Sequence, residues 1–328
     1  MKYRDRQGNE YKVTTNQDRF LNDAYDSYLG RSVLEIASLP VFSKVSRKVL
    51  NSRLSSGFIE NFAEKNGIDM FDYEDKQYSS FNEFFTRRIK PGRRHFEPDE
   101  HKLVSPSDGK VSAYEITPSN TFVIKDSVYN VDSLLRDKKL AQKYAGGYAL
   151  IIRLSVDDYH RYIYPLSGIK SHDRNIKGFL NTVNPVANRH VEVYKENSRT
   201  YCMLRTEFFG DVIQMEVGAL MVGKISNHHP WGNHRVRQGE EKGMFEFGEV
   251  PPGKYDLYTK DKDGNVQILK NIEVLAGKGS VYKVQLPFDE ESSNLWLIIA
   301  LIGAGVVVLA GGAVAAILIA KKKKGSKA

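Results

Sequence analysis

Three groups of residues have side chains suited to chemistry. Asp108 stands in Ser105-Pro106-Ser107-Asp108-Gly109 and His160 in Asp157-Asp158-Tyr159-His160-Arg161. His228, His229 and His234 lie close together further along. An Asp and a His are the usual parts of an acid–base pair that activates a nucleophile. Taken singly, each has a plainer use. Ser-Pro-Ser-Asp-Gly is turn chemistry, and a lone His beside a strand is commonly structural. The histidine trio suggests a metal, but no carboxylate or Cys completes the set at ligand spacing, so no metal is expected. Cys202 is the one cysteine, which excludes an intrachain disulfide and a multi-Cys zinc centre.

The elements that must position these residues fall into two parts. Residues 1–102 read as a helical, membrane-facing region. Phe20, Leu21, Ala24, Tyr25, Tyr28 and Leu29 form one apolar stripe, and a second pattern through Val33, Leu34, Ile36 and Ala37 stops at Pro40. Ser80-Phe81-Asn82-Glu83 reads as a capping box before a helix that Pro91-Gly92 ends. Arg87, Arg88, Lys90, Arg93 and Arg94 cluster behind it, as a solvated helix end or a surface facing anionic lipid.

Residues 103–248 change to short β-like runs: Lys110–Ile116, Thr121–Val131, Tyr148–Ser155, Thr200–Phe209 and Val212–Ile225. Gly210-Asp211 reads as a hairpin turn, and Asp132–Tyr144 as an intervening helix with Asp132 at its N-cap. The fold class is therefore α+β: N-terminal helices on a mainly antiparallel sheet domain, a β-rich segment over 249–288, then one transmembrane helix.

That last helix is read from Leu295 to Ala320, which carries no charged or strongly polar side chain. As a helix it would be about 39 Å long, enough to cross a hydrocarbon core of about 30 Å. Trp296 sits at one edge, and Gly303, Gly305, Gly311 and Gly312 permit close helix packing, which leaves a homodimer open. A basic tail, 321–328, follows. The 328 residues hold 48 Lys+Arg and 40 Asp+Glu, a net +8. Removing the five tail lysines from the 48 bases leaves 43 against 40 acids, so the body is nearly neutral and no nucleic acid is expected. The positive-inside rule puts the tail in the cytoplasm and the body outside. The N-terminus has no apolar signal segment, which keeps the body in the cytoplasm. The cytoplasmic body is the expectation, with orientation open.

The motifs say more together. FNEFFTRRIKPGRR (81–94), SPSDGK (105–110), DYHRYIYPLSG (158–168), LNTVNPVANRH (180–190), ENSR (196–199), GDVIQMEVGALMVGKI (210–225) and GEEKGMFEFG (239–248), in this order and spacing, resemble the phosphatidylserine decarboxylase family over about residues 1–248. The resemblance implies a reaction taking phosphatidylserine to phosphatidylethanolamine and CO₂. It also implies a pyruvoyl group made from a serine of the chain, and phosphatidylserine and anionic membrane lipid as partners. It matches Asp108 to the family Asp of SP-x-DG, and His160 to the first His of the family pattern YHR-x-H-x-P, associated with decarboxylation.

Two departures follow. The second His of that pattern, the base for self-cleavage, is Ile163 here, and isoleucine accepts no proton. After Gly248 the family continues into Gly-Ser-Thr, whereas this chain reads Glu249-Val250-Pro251-Pro252-Gly253-Lys254-Tyr255. Residues 245–286 instead resemble the end of a collagen-binding B-type or carboxypeptidase-regulatory module, with closing strands over Ile272–Leu275 and Val281–Leu286. Gly279-Ser280-Val281 is a Gly-Ser step before a strand, so Ser280 is the candidate replacement nucleophile, its plainer reading being a loop serine. The expectation is a membrane-anchored homologue that does not form the pyruvoyl group, a pseudoenzyme. The alternatives are an active decarboxylase maturing at Ser280 and a non-enzymatic membrane-anchored binding or surface module.

Overall fold

The computed structural model describes residues 2–4, 8–12, 16–38, 47–94, 96–124, 127–184, 186–187, 191–248, 253–260 and 266–274, with the last two ranges and residues 2–4, 12, 16–20, 28–29, 32 and 35–36 described by backbone alone. Ser280, Val281–Leu286, the apolar segment 295–320 and the tail 321–328 lie outside the described residues. Among the described residues no helix is long and apolar enough to cross a membrane.

At the N-terminus β1 (Lys2–Arg4) pairs antiparallel with β2 (Glu10–Lys12), and helices follow at Asn16–Asp26 and Tyr28–Ala37. The apolar stripe runs on to Leu29, yet the chain breaks at Ser27. Its hydroxyl accepts the Gly30 N–H at 2.9 Å and so starts the second helix. Leu21, Tyr25 and Leu34 pack there against Ala187 and Val193.

Ser80 caps the helix Phe81–Phe85 as expected, accepting the Glu83 N–H at 3.2 Å. The returning arm of the box reaches Ser79 rather than Ser80: Glu83 Oε2 accepts from both Ser79 N and Oγ at 2.7 Å. Hydrogen bonds from Lys76 and Ser79 pull the Glu83 carboxyl down to about 2. The helix stops at Phe85, well before Pro91, because the chain beyond it is committed to tertiary contacts: Ile89 bridges to Tyr73, and Arg87 turns inward.

The β body begins with β3 (Lys110–Glu115), whose entry turn requires glycine. Gly109 has φ +131°, and a Cβ there would lie 2.7 Å from the Arg153 carbonyl oxygen. The run expected as one strand over 121–131 is a hairpin, β4 (Thr121–Ile124) against β5 (Ser127–Asn130). The helix expected over 132–144 is broken. Asn130, not Asp132, caps Val131–Leu135; Arg136 turns left-handed at φ +47°; Asp137 then caps Lys138–Ala141. Two strong N-capping side chains seven positions apart divide the single expected helix into two.

β6 (Tyr148–Arg153) pairs with β3. β7 (Arg161–Ile163), β8 (Gly168–Lys170) and β9 (Arg174–Ile176) are short. β10 (Arg199–Arg205) and β11 (Asp211–Val217) form a hairpin closed by Gly210 at φ +67°. The expected run 212–225 splits, because Met221 takes φ +67° to bury its side chain among Phe81, Phe85 and Phe247. Beyond that turn lie β12 (Lys224–Asn227), β13 (His234–Val236) and β14 (Glu241–Glu246). One sheet runs β11-β10-β8-β13 with β9 also on β10, and a second runs β12-β14-β7. All these named strand pairs are antiparallel, the mixed helix and antiparallel-sheet class expected. The C-terminal β segment is a hairpin of β15 (Gly253–Lys260) and β16 (Val266–Val274).

Two of the apolar clusters that hold the body are the largest among the described residues. Phe122, Tyr129, Leu135 and Tyr201 centre one. Phe81, Phe84, Phe85 and Phe247 centre the other, and it carries the candidate site. Each such ring, fully buried, contributes about 1.5–3 kcal/mol.

Candidate functional site

His160 immediately precedes β7 and is buried. Its ring lies 3.8 Å, centroid to centroid, from Phe85, which lies 4.3 Å from Phe247. Its carbonyl accepts the Phe245 N–H at 2.9 Å, and so ties the residue to β14. Nδ1 is buried without a hydrogen-bond partner among the described residues. Burial, reinforced by the nearby Arg87 charge, pushes the imidazole down to about 3, so His160 is neutral at ordinary pH.

Asn82 pins the end of β14. Its Oδ1 accepts the Phe247 N–H at 3.0 Å, and its Nδ2 donates to Asn51 Oδ1 at 3.0 Å. Gly248 is thereby fixed beside β12, close enough that a Cβ would meet Lys224 Cβ at 3.2 Å. The next residue is Glu249, with no hydroxyl before Tyr255. The place where the resemblance puts a serine is thus reached by an anchored strand carrying no nucleophile.

Asp108 sits in the turn before β3, which is joined to β7 by a hydrogen bond from Ile163 N to Pro106 O at 2.8 Å. The turn therefore lies beside position 163, where the side chain is apolar. The Asp108 carboxylate is taken by Arg94, Nη2 to Oδ2 at 3.1 Å, and Arg94 Nη1 also reaches Asp72 at 3.3 Å. Asp108 and His160 therefore lie on segments flanking β7, while Ser280 lies outside the described residues. Position 249 carries no hydroxyl, and position 163 carries a side chain that neither accepts nor donates a proton.

Several residues of the site carried no warning in the sequence. Arg87, expected at the surface, is 1% exposed. Its guanidinium lies 4.4 Å from the Tyr73 ring centre and 4.9 Å from that of Phe84, and donates to the carbonyls of Asp157 at 3.2 Å and Asp158 at 3.4 Å. Arg161 makes the reciprocal stitch, Nε to Thr86 O at 2.9 Å and Nη1 to Glu241 Oε1 at 2.7 Å. Asp158 is mostly buried and accepts the Ser155 N–H at 2.5 Å; burial, with the charges of Asp157 and Asp108, pushes its carboxyl up.

Beneath β7 runs a charged network. Lys242, fully buried, grips Glu216 at 2.7 and 2.8 Å. Lys170, also fully buried, pairs with Asp173 at 2.9 Å. Asn227 joins Asp173 at 2.7 Å to the Tyr162 hydroxyl at 2.9 Å. The motif strings contain Glu216 and Lys242, but nothing in their spacing pairs them.

A family model described as phosphatidylserine decarboxylase matches residues 81–280. Phosphatidylserine decarboxylase proenzyme 2 of Clostridium acetobutylicum is 43% identical over 240 residues, covering 73% of this chain and 80% of that protein. The phosphatidylserine decarboxylase proenzyme of Ruminiclostridium cellulolyticum is 41% identical over 235 residues, 70% of this chain and 78% of that one. That of Clostridium botulinum strain 657 is 36% identical over 255 residues, 76% and 86%. The chain belongs to the phosphatidylserine decarboxylase family.

Proposed function

We propose that this chain is a membrane-anchored family member that engages phosphatidylserine and anionic lipid but does not make a pyruvoyl group at the family's position. The observation that carries the reading is the state of the two segments flanking β7. Gly248 donates its N–H to the Met221 carbonyl at 3.4 Å, bridges to Val222 and leads into Glu249, and the Asp108 turn is bonded to an apolar Ile163. A self-cleaving serine needs a hydroxyl next to the scissile carbonyl and a base within hydrogen-bond reach. Residues 295–320 serve in this reading as a single-pass anchor with the body in the cytoplasm.

A second reading has one observation in its favour: the family match runs on to residue 280, so Ser280 stands at its end. In that reading 249–278 is an insertion and Ser280 is the nucleophile of an active enzyme. The experiment is incubation of the purified full chain with vesicles of carboxyl-labelled phosphatidylserine. Vesicle association without release of labelled CO₂ is expected. Release that Ser280→Ala abolishes would overturn the proposal in favour of the second reading.

A further inference from the structure

The segment that runs from β12 through β13 into β14 brings together the histidines for which the sequence offered no carboxylate. Glu240 supplies one. Donor atoms of His229, His234 and Glu240 all lie within 4.8 Å of one another. The two imidazoles stack at 4.3 Å between centroids, and His229 Nε2 is 3.9 Å from Glu240 Oε1. We propose that His229, His234 and Glu240 form a site for a divalent transition metal of the zinc class, nitrogen-rich with one carboxylate and open to solvent.

The chemistry of the set argues for that class. Two imidazoles and a carboxylate are a borderline donor set that suits zinc, cobalt or nickel and disfavours magnesium and calcium, which take oxygen ligands. Bond lengths of about 2.0–2.2 Å place tetrahedral donors about 3.4 Å apart. Rotation of part-exposed side chains closes the remaining gap. The side chains of His229 and Glu240 are 44% and 33% exposed, so water can complete the shell.

The ligands are also held from behind, as metal sites require. Lys170, 0% exposed, donates to the His229 carbonyl at 2.6 Å and the Trp231 carbonyl at 3.0 Å, while its own backbone pairs with His234 across β8 and β13. Glu240 Oε2 accepts the Arg237 N–H at 3.0 Å, which leaves Oε1 facing His229. His228 is engaged elsewhere, Nε2 on Glu241 Oε1 at 2.6 Å, and stands outside the set.

The test uses the tag-free full chain, stripped with chelator and solubilised in detergent. Cobalt is titrated in while its visible ligand-field absorption is followed, and zinc is then added in competition. One equivalent of cobalt should bind, zinc should displace it, and magnesium should not. Glu240→Gln and His234→Ala should each weaken binding at least about 10-fold, the smallest effect expected even for an outer partner of a metal ligand. His228→Gln should bind as the unaltered chain does. Circular dichroism establishes that each variant is folded, and Glu240→Asp, which keeps a carboxylate, should retain measurable binding. Absence of the cobalt spectrum, or cobalt binding unchanged in the folded Glu240→Gln/His234→Ala double variant, would overturn the site.

Discussion

Acid should destabilise this protein through one identified imidazole. His160 is buried against Phe85 beside Arg87 and held down to about 3, whereas the unfolded chain restores a value near about 6.5. Between those values the unfolded state binds a proton that the folded state refuses, so stability rises with pH. The contribution is present above the unfolded value and is lost as pH falls toward the folded one. From about pH 7.5 down to about pH 5, this group alone removes about 2 kcal/mol, a substantial part of a typical total of about 5–15. Asp158, raised by burial, works in the opposite direction. The comparison must therefore be differential. His160→Phe keeps an aromatic plane against Phe85 and removes the titration, leaving Asp158 in place. Urea unfolding followed by circular dichroism at both pH values measures the effect. The loss between them should be about 2 kcal/mol smaller in His160→Phe. An identical pH dependence in both proteins would refute the argument that His160 is the buried neutral group.

Three further outcomes are expected. Lys242→Met should cost about 3–5 kcal/mol in urea unfolding by stranding Glu216, and adding Glu216→Leu should recover much of it; a double variant no better than the single would contradict the pairing. Charge reversal at the exposed Arg88 and Arg93 should reduce flotation with anionic vesicles and its loss in salt, while neutral vesicles show no difference; equal effects on both would remove the electrostatic explanation. Ile163→His alone, or Gly-Ser-Thr in place of Glu249-Val250-Pro251 alone, should leave the chain uncleaved, and both together should yield fragments over hours that Asp108→Ala suppresses. Cleavage by Ile163→His alone would mean that a serine already in the chain is in place.

Local chemistry was legible in the sequence, and long-range chemistry was not. The Ser80 cap and the glycine turn at 210 depend on neighbours a few residues away, and both stand where the sequence puts them. The seven ordered motifs also mark the body, because together they specify one arrangement of elements. Arg87 lies within a basic run that reads as solvated, yet Tyr73 and Phe84 close over it. A helix read from Asp132 to Tyr144 with Asp132 at its N-cap misses that Asn130 caps the first short helix and Asp137 starts a second. Glu240 joins His229 and His234 only through the return of β13 into β14, and Lys242 meets Glu216 only across strands from two sheets. No spacing rule along the chain reports such meetings.

The most direct test of the account is the intact mass of the purified chain, followed by sequencing of any fragment. A chain that keeps Ile163 and continues from Gly248 into Glu249 should remain one polypeptide of 37.2 kDa with no carbonyl-blocked N-terminus. Two polypeptides, the smaller beginning at a blocked position 280, would contradict it and make Ser280 the nucleophile of a maturing decarboxylase.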